Sequence, residues 1–409
     1  MAQPTVRVLR QDELATAADV VNHAMLGPIN DEAASGWAKI IDAERSHGAF
    51  APDGRIVGLA RYFPTELTIP GGQVAAAGVT AVGVLSTHRR QGHLTRLMEA
   101  QLQQVHGEGV PVALLVAAEW PIYGRFGYGP AVDGCTIHLD TATARFRAEP
   151  TGSIEIVDLP TLRIHLEAAY ELWRARTPGG MQRDALVLDS LAGLSSWPGR
   201  PHDSSFRRGA VWRDGHGAVL GAVSFKVDDA WQRSRPAGTA EVSILVGATT
   251  EAERELWRFL CHLDWIRTVT AGDRGVDDPL PLLLEDGRAA HRIDQGDFVW
   301  ARILDVPGAF AARRSPQPAS AIDEVVDSLG FAAGRWQISL GPDGSEVVAS
   351  TAEPDVTLPV GSLGAAYLGG RSVRRLFEAG WLEERSAGGV DRLAALLHTS
   401  SAPWTALGF

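Results

Sequence analysis

Residues 79–105 read VTAVGVLSTHRRQGHLTRLMEAQLQQV, and this stretch decides the fold. Val79 to Leu85 is an apolar run of the length of a buried strand. Ser86 to Gly92 is a polar, basic turn. From His93 to about Val105, Leu94, Leu97, Met98, Leu102 and Val105 recur at helical spacing. Gly107-Glu108-Gly109 then ends the helix. Val112 to Ala117 is a second buried strand. Strand, tight turn, helix and strand make a βαβ-like unit. Arg89 and Arg90 stand where a helix start already carries partial positive charge, an unfavourable place for cations without an anion. Unpaired helix amides, two guanidinium groups and Gly92 form an anion cradle at the carboxyl end of a buried strand. The turn alone is read equally well as a solvated basic surface. It lacks the Gly-Lys-Ser/Thr ending of a P-loop and the spaced glycines of a dinucleotide fingerprint.

On the amino-terminal side, Val6–Leu9 reads as a strand and Gln11–Met25 as an amphipathic helix. Ile56–Tyr62 and Glu66–Ile69 read as strands joined by a turn at Phe63-Pro64, with another turn at Pro70-Gly71-Gly72. From Gly152 the element order starts again. Ile154–Val157 is a strand, Pro160–Arg176 a helix, and Ala210–Arg213 with Ala218–Phe225 a hairpin. Val242–Val246 is a strand, and Thr250-Glu251-Ala252-Glu253 is a capping box opening a helix through Trp265. The echo points to a degenerate internal duplication. After Ala301 the character changes. Arg313–Pro318 reads as a turn or linker, Trp336–Leu340 and Glu346–Ser350 as a hairpin, and helices follow near 363–368, 373–379 and 389–398. The expected class is α/β with α+β character, in three parts: 1–150, 151–300 and 301–409.

The chain has 409 residues, 45% hydrophobic and 21% charged, with a formal net charge of -11. That charge disfavours nucleic acid as a partner and weakly favours cationic small molecules. Cys135 and Cys261 are too few and too distant for a disulfide scaffold or a zinc site. No run reaches membrane-spanning length, and the cytoplasm is the default location. The twelve histidines show no ligand spacing, so no metal is expected. No Gly-x-Ser-x-Gly elbow occurs, which argues against a serine hydrolase.

Arg89-Arg90-Gln91-Gly92-His93-Leu94 resembles the pyrophosphate-wrapping signature of the GNAT N-acetyltransferase superfamily. Leu94 stands where that signature has a small residue. The string Ile122-Tyr123-Gly124-Arg125-Phe126-Gly127-Tyr128-Gly129-Pro130-Ala131 is similar to Eis-type (enhanced intracellular survival) acetyltransferases. So are Asp305-Val306-Pro307, Ala366-Tyr367-Leu368-Gly369-Gly370 and the apolar chain end.

The resemblance implies an active GNAT domain, a second GNAT-like domain without cofactor, and a domain like sterol carrier proteins. It further implies acetyl-CoA as co-substrate, a small-molecule amine as acceptor and a homohexameric assembly. The acidic start of the second helix, Glu251 and Glu253, agrees with a second domain that binds no pyrophosphate. By resemblance, Val82, Gly83 and Val84 pair with the pantetheine arm. Arg89, Arg90, Gly92, His93, Leu94 and Thr95 take the phosphates, and Ala118 and Glu119 contact the cofactor from the next strand.

Tyr123, taken alone, reads as a packing aromatic; the resemblance makes it the general acid, with Tyr128 as rival. The apolar terminus Trp404–Phe409 reads as a tail tucked into the protein. The resemblance makes the α-carboxylate of Phe409 the base for the attacking ammonium. Trp37 matches an aromatic of the amine pocket and reads equally as a core tryptophan. Gly408 and Ala24 stand where mycobacterial relatives carry acids, which weakens the expected grip on a polycation. A different class of reading is a non-catalytic protein that holds acyl-CoA or an apolar ligand.

Overall fold

The computed structural model describes residues 5–27, 40–196 and 204–409. Trp37 lies outside the described residues. The first part contributes β1 (Thr5–Val8), β2 (Ser46–Phe50), β3 (Ile56–Ile69), β4 (Gly72–Val84), β5 (Val112–Val116) and β6 (Gly129–Asp140). The middle part contributes β7 (Ser153–Val157), β8 (Arg207–Arg213), β9 (Val219–Asp228), a short hairpin of β10 (Trp231–Gln232) and β11 (Arg235–Pro236), β12 (Gly238–Gly247), β13 (Ile266–Gly275) and β14 (Ala290–Ile303). The last part holds β15 (Ala319–Val326), β16 (Gly334–Leu340), β17 (Ser345–Ala349), β18 (Val356–Pro359) and β19 (Glu383–Glu384).

All strands of the first two parts except β10 and β11 form one twelve-stranded sheet, ordered β1-β2-β3-β4-β5-β14-β6-β13-β12-β9-β8-β7. The two halves exchange their last strands. β14 lies between β5 and β6, and β6 lies between β14 and β13. Each half repeats one motif. In the first, β4 and β5 run parallel through Ala76–Gly78 against Val112–Leu114, joined by the helix His93–Gly107. In the second, β12 and β13 run parallel, joined by the helix Thr250–Cys261. Such a parallel pair requires a crossover helix, which is why the apolar run, turn and helical pattern at 79–105 were decisive.

Two sequence readings are corrected here. The turn at Phe63-Pro64 is absent, because β3 runs unbroken with Pro64 opposite Ala77. β2 has already ended opposite Arg61, so β3 carries no full strand ladder on that side. The side is used by single contacts such as Thr68 N–H to the Gly180 carbonyl. A proline without an amide is tolerated on such an edge. The helix read through Trp265 ends at Cys261, and Trp265 is exposed with φ +69° in the turn into β13.

The last part is a five-stranded sheet, β17-β16-β15-β18-β19, covered by helices 360–367, 373–378 and 389–397. It is not a loose appendage. One core runs from Ala76, Leu114 and Ala301 of the large sheet through Phe310 and Leu363 to Leu396. Arg313, read as linker, is buried, and its guanidinium donates to the carbonyls of Tyr367 and Leu397.

The exchanged strands make the first part dependent on the second. A separately expressed 1–150 fragment exposes both edges of β6 and leaves β5 without its β14 neighbour. It is expected to show no cooperative thermal transition by circular dichroism, and to regain one on co-expression with 151–409.

Asp323, on the inner face of β15, is fully buried, and neither carboxylate oxygen has a hydrogen-bond partner. Burial, reinforced by Asp355, pushes its pKa up to about 8. Between the ordinary carboxylate pKa and that value, the folded chain holds a proton the unfolded chain has released. Stability therefore falls as pH rises through this window, by up to roughly 1.4 kcal/mol per pH unit. Asp323→Asn is expected to flatten the decline in denaturation midpoint between pH 5 and 8.

Candidate active site

β4 and β5 stop pairing after Gly78 and Leu114, yet both strands continue. The cause is a bulge in β4. On β3, Leu59 faces Gly83 and Arg61 faces Thr80, so Ala81 and Val82 together oppose a single residue. Ala81 has φ +51°. Bulges of this kind bend a strand and re-aim its residues beside functional sites. The parting strands open a cleft of about 650 Å³. Val82, Gly83 and Val84 line one side, and Ala118 and Glu119 the other.

Arg89, Arg90, Gly92, His93, Leu94 and Thr95 close the cleft at the start of the helix His93–Gly107. That helix begins at Gly92 with φ +84° and without a side-chain cap, so its first amides remain free for a ligand. A Cβ on Gly92 would meet nothing, so the glycine serves the left-handed backbone and not a close approach. Arg90 is also left-handed, at φ +62°. Successive amides in such conformations form a concave anion site. Arg89 is partly engaged by the protein itself. Its Nε donates to the Val84 carbonyl at 3.3 Å, and Nη2 donates to the Ala24 carbonyl at the end of the helix Leu14–Ala24, also at 3.3 Å. His93 is buried, and burial lowers its pKa, which favours the neutral ring.

Tyr123 also lines the cleft and is 7% exposed. Burial, assisted by the charge of Glu119, raises its pKa, so the phenol stays protonated at neutral pH. Tyr128 stacks edge-on against Tyr123 at 6.3 Å, but its hydroxyl is sealed from solvent and it is not in the cleft wall. All eleven residues expected to hold the cofactor, together with Tyr123, therefore border one cavity. Sequence reading had not included His88, Ile122 and Arg125, which also border it. His88 precedes Arg89 directly, and Ile122 and Arg125 stand inside the quoted Tyr123 string, so adjacency is the available signal.

Phe409, expected at the same site, is not among the residues that border this cleft. A Cβ on Gly408 would come within 3.4 Å of the Phe298 ring and 3.7 Å of Val116, two residues before Ala118. The Phe409 ring packs edge-on against Phe63 at 5.4 Å and under the Arg183 guanidinium at 5.5 Å. Arg183 also donates to the Leu407 carbonyl.

The loop carrying Tyr123 is fixed from behind by Arg302 of β14. Its Nε donates to the Phe126 carbonyl at 2.9 Å, and Nη2 pairs with Asp327 at 2.7 Å, both side chains almost wholly buried. This residue carried no signal in the sequence, because its partners are 176 and 25 positions away.

Among the described residues, no group of three or more His, Cys, Asp or Glu is placed to hold a metal ion, and no helix is long and apolar enough to cross a membrane.

A βαβ crevice with an uncapped helix start, a bulged strand and a protonated tyrosine defines an acyltransferase of the GNAT class. Comparison with known proteins agrees. Residues 5–131 and 179–303 each match an acetyltransferase (GNAT) domain model, and residues 306–406 match a sterol carrier protein domain model. An N-acetyltransferase of Streptomyces griseus is 39% identical over 372 residues, 89% of each chain. The N-acetyltransferase Eis of Mycobacterium tuberculosis is 32% identical over 396 residues, 93% of each. The crystal structure of Eis1 from Mycobacterium abscessus superposes with a TM-score of 0.87 at 33% identity, covering 99% of this chain and all of the other. The chain belongs to the Eis-type GNAT N-acetyltransferases.

Replacing Arg302 by Met leaves Asp327 buried and unpaired. The expected loss is about 3–5 kcal/mol, read from urea unfolding. The variant that folds at low temperature is expected to have a Tyr123 loop more open to proteolysis than the parent.

Proposed function

We propose that the protein transfers the acetyl group of acetyl-CoA to a primary amine of a cationic substrate, by direct attack of the amine on the thioester. The observation that carries this reading is the convergence of the strand opening, the uncapped helix start and Tyr123 on one cavity. The residues fit the co-substrate. Amides of His93, Leu94 and Thr95, with Arg90, suit a diphosphate. The backbone of Val82–Val84, unpaired toward β5, suits the amide groups of an extended arm. Acetyl-CoA supplies the activated acyl carbon and a thiol leaving group.

The chain's own groups then handle two protons. The α-carboxylate of Phe409 accepts one from the substrate ammonium, freeing the lone pair that attacks. The Tyr123 hydroxyl donates one to the departing sulfur and is restored by the second proton that the nitrogen sheds as the amide forms. The net charge of -11 favours a cationic acceptor. Ala24, at the cleft mouth, and Gly408, at the tail, bring no carboxylate, so a compact amine or lysine side chain suits the site better than a bulky polycation. The competing reading, a binder without turnover, differs in one measurable respect: no amine-dependent release of free thiol.

Thiol release from acetyl-CoA against an amine panel is the direct test. Tyr123→Phe is expected to lower kcat by about 100-fold with little change in acetyl-CoA affinity. Arg90→Ala is expected to weaken acetyl-CoA binding about tenfold, as for loss of a charge-assisted hydrogen bond. One added glycine after Phe409 is expected to lower kcat by at least about tenfold while the melting temperature holds. Full turnover in the extended chain rejects the carboxylate as base, and acetyl-CoA binding without thiol release for any amine rejects the enzyme.

A further inference from the structure

The second βαβ motif has the same crevice in a different condition. β12 and β13 stop pairing after Val242 and Ala271 while both strands continue, and β12 carries a register shift beyond Val242. Here the gap is closed from within. Arg274 of β13 donates to the Leu245 carbonyl of β12 at 2.8 Å and pairs with Glu253 at 3.1 Å and Asp278 at 2.5 Å. The helix start is occupied too. Thr249 accepts from the Ala252 amide at 3.1 Å, and Glu251 and Glu253 stand in its first turn. Nothing there invites an anion.

Against this closed crevice lies the end of the chain. The Trp404 ring sits 4.2 Å from the Arg274 guanidinium and 4.7 Å from the Trp173 ring. Its Nε1 donates to the Asp273 carbonyl at 2.7 Å, and its amide donates to the Pro178 carbonyl at 2.8 Å. A Cβ on Gly275 would come within 3.3 Å of the same ring. Around it, the Ala402 amide donates to Asp277 at 2.7 Å and the Thr405 hydroxyl to the Gly179 carbonyl at 2.7 Å. Every one of these partners belongs to the second unit. Asp273 and Asp277 come from β13 and the turn after it, and Pro178 and Gly179 from the loop after the helix Leu159–Arg174.

We propose that the second unit has become the seat of the chain's end, and that Trp404 is the positioning residue that fixes Phe409 beside the first unit's cleft. An isolated tail of six residues would sample many conformations, and a base must be held within hydrogen-bonding reach of its proton to act. Arg183 and Asp273 complete the seat. Asp273 lies at a register break in β13 with φ +51°; burial raises its pKa, and the Gly408 amide and Arg183 act against that rise. Residues held in sparsely populated backbone conformations concentrate where surrounding structure over-determines them. Trp404 acts only through the tail and touches no reactant. The inference rests on the reading of Phe409 as base.

Trp404→Ala, Trp404→Phe and Asp277→Ala in the full chain test it. The readouts are acetyl-CoA affinity by calorimetry, kcat on an accepted amine, and the rate at which carboxypeptidase A releases Phe409. Trp404→Ala is expected to leave acetyl-CoA affinity within about twofold, lower kcat by at least about tenfold, and speed Phe409 release by a similar factor. Trp404→Phe keeps the ring but loses the Nε1 donor, and is expected to fall between. Parental release rate and kcat in Trp404→Ala overturn the proposal, as does loss of acetyl-CoA affinity in step with kcat. Should Trp404→Ala not fold, Asp277→Ala, at an exposed side chain, decides by the same readouts. The chain extended by one glycine separates the two ideas. If it turns over normally, the base assignment fails, whereas the release rate of Phe409 from Trp404→Ala still reports whether the seat exists.

Discussion

The exchange of β6 and β14 is the constraint from which the rest of the molecule follows. β14 pairs with β5 from Val112 to Val116 and with β6 over much of its length, so two half-sheets become one. Main-chain pairing of this extent leaves neither half a free edge at the junction.

The position of Tyr123 illustrates the dependence. β5 and β6 are consecutive in the chain but separated in space by β14, so residues 117–128 must step across the end of that strand. The step is where Tyr123 and Phe126 sit. Arg302, on β14 itself, holds the Phe126 carbonyl on one side and Asp327 of the last part on the other. The tyrosine is therefore placed by all three parts at once. A conventional hairpin between β5 and β6 would leave this loop hanging from the sheet edge with no such support.

The first crevice was largely legible because its determinants are local. The bulge, turn, glycine and helix all fall within 79–107, and the periodic burial of Leu97, Met98, Leu102 and Val105 follows the spacing read from the sequence. The Tyr123 string was legible only through resemblance, since a buried phenol and a packing phenol have the same sequence signature. What stayed hidden was non-local. Strand exchange is a property of which edges meet, and alternating apolar residues do not record their partner. Arg302, Asp323 and Arg313 look like surface charges in a sequence, and their burial is decided by topology. Pro64 misled because a proline inside a long strand is permitted only when one edge is free, and that depends on where β2 ends.

The two βαβ motifs then differ in electrostatics and in the backbone at the helix start, left-handed at Gly92 and extended at Thr249. Both have parallel strands that part beyond a shared ladder, and both begin a helix at the mouth of the gap. A helix start presents partial positive charge that needs an anionic complement. In the second motif the complement is internal: Glu251 and Glu253 stand in the first turn, Thr249 caps it, and Glu253 is itself neutralised by Arg274. In the first motif the turn adds Arg89 and Arg90 to a helix with no acidic residue in its first turn and no capping side chain. Only one carbonyl-bound guanidinium, that of Arg89, is even partly absorbed by the fold. The first crevice keeps that partial positive charge without an acidic side chain in its first turn, an arrangement that suits an anion. A repeated framework thus leaves one helix start uncapped and closes the other on itself.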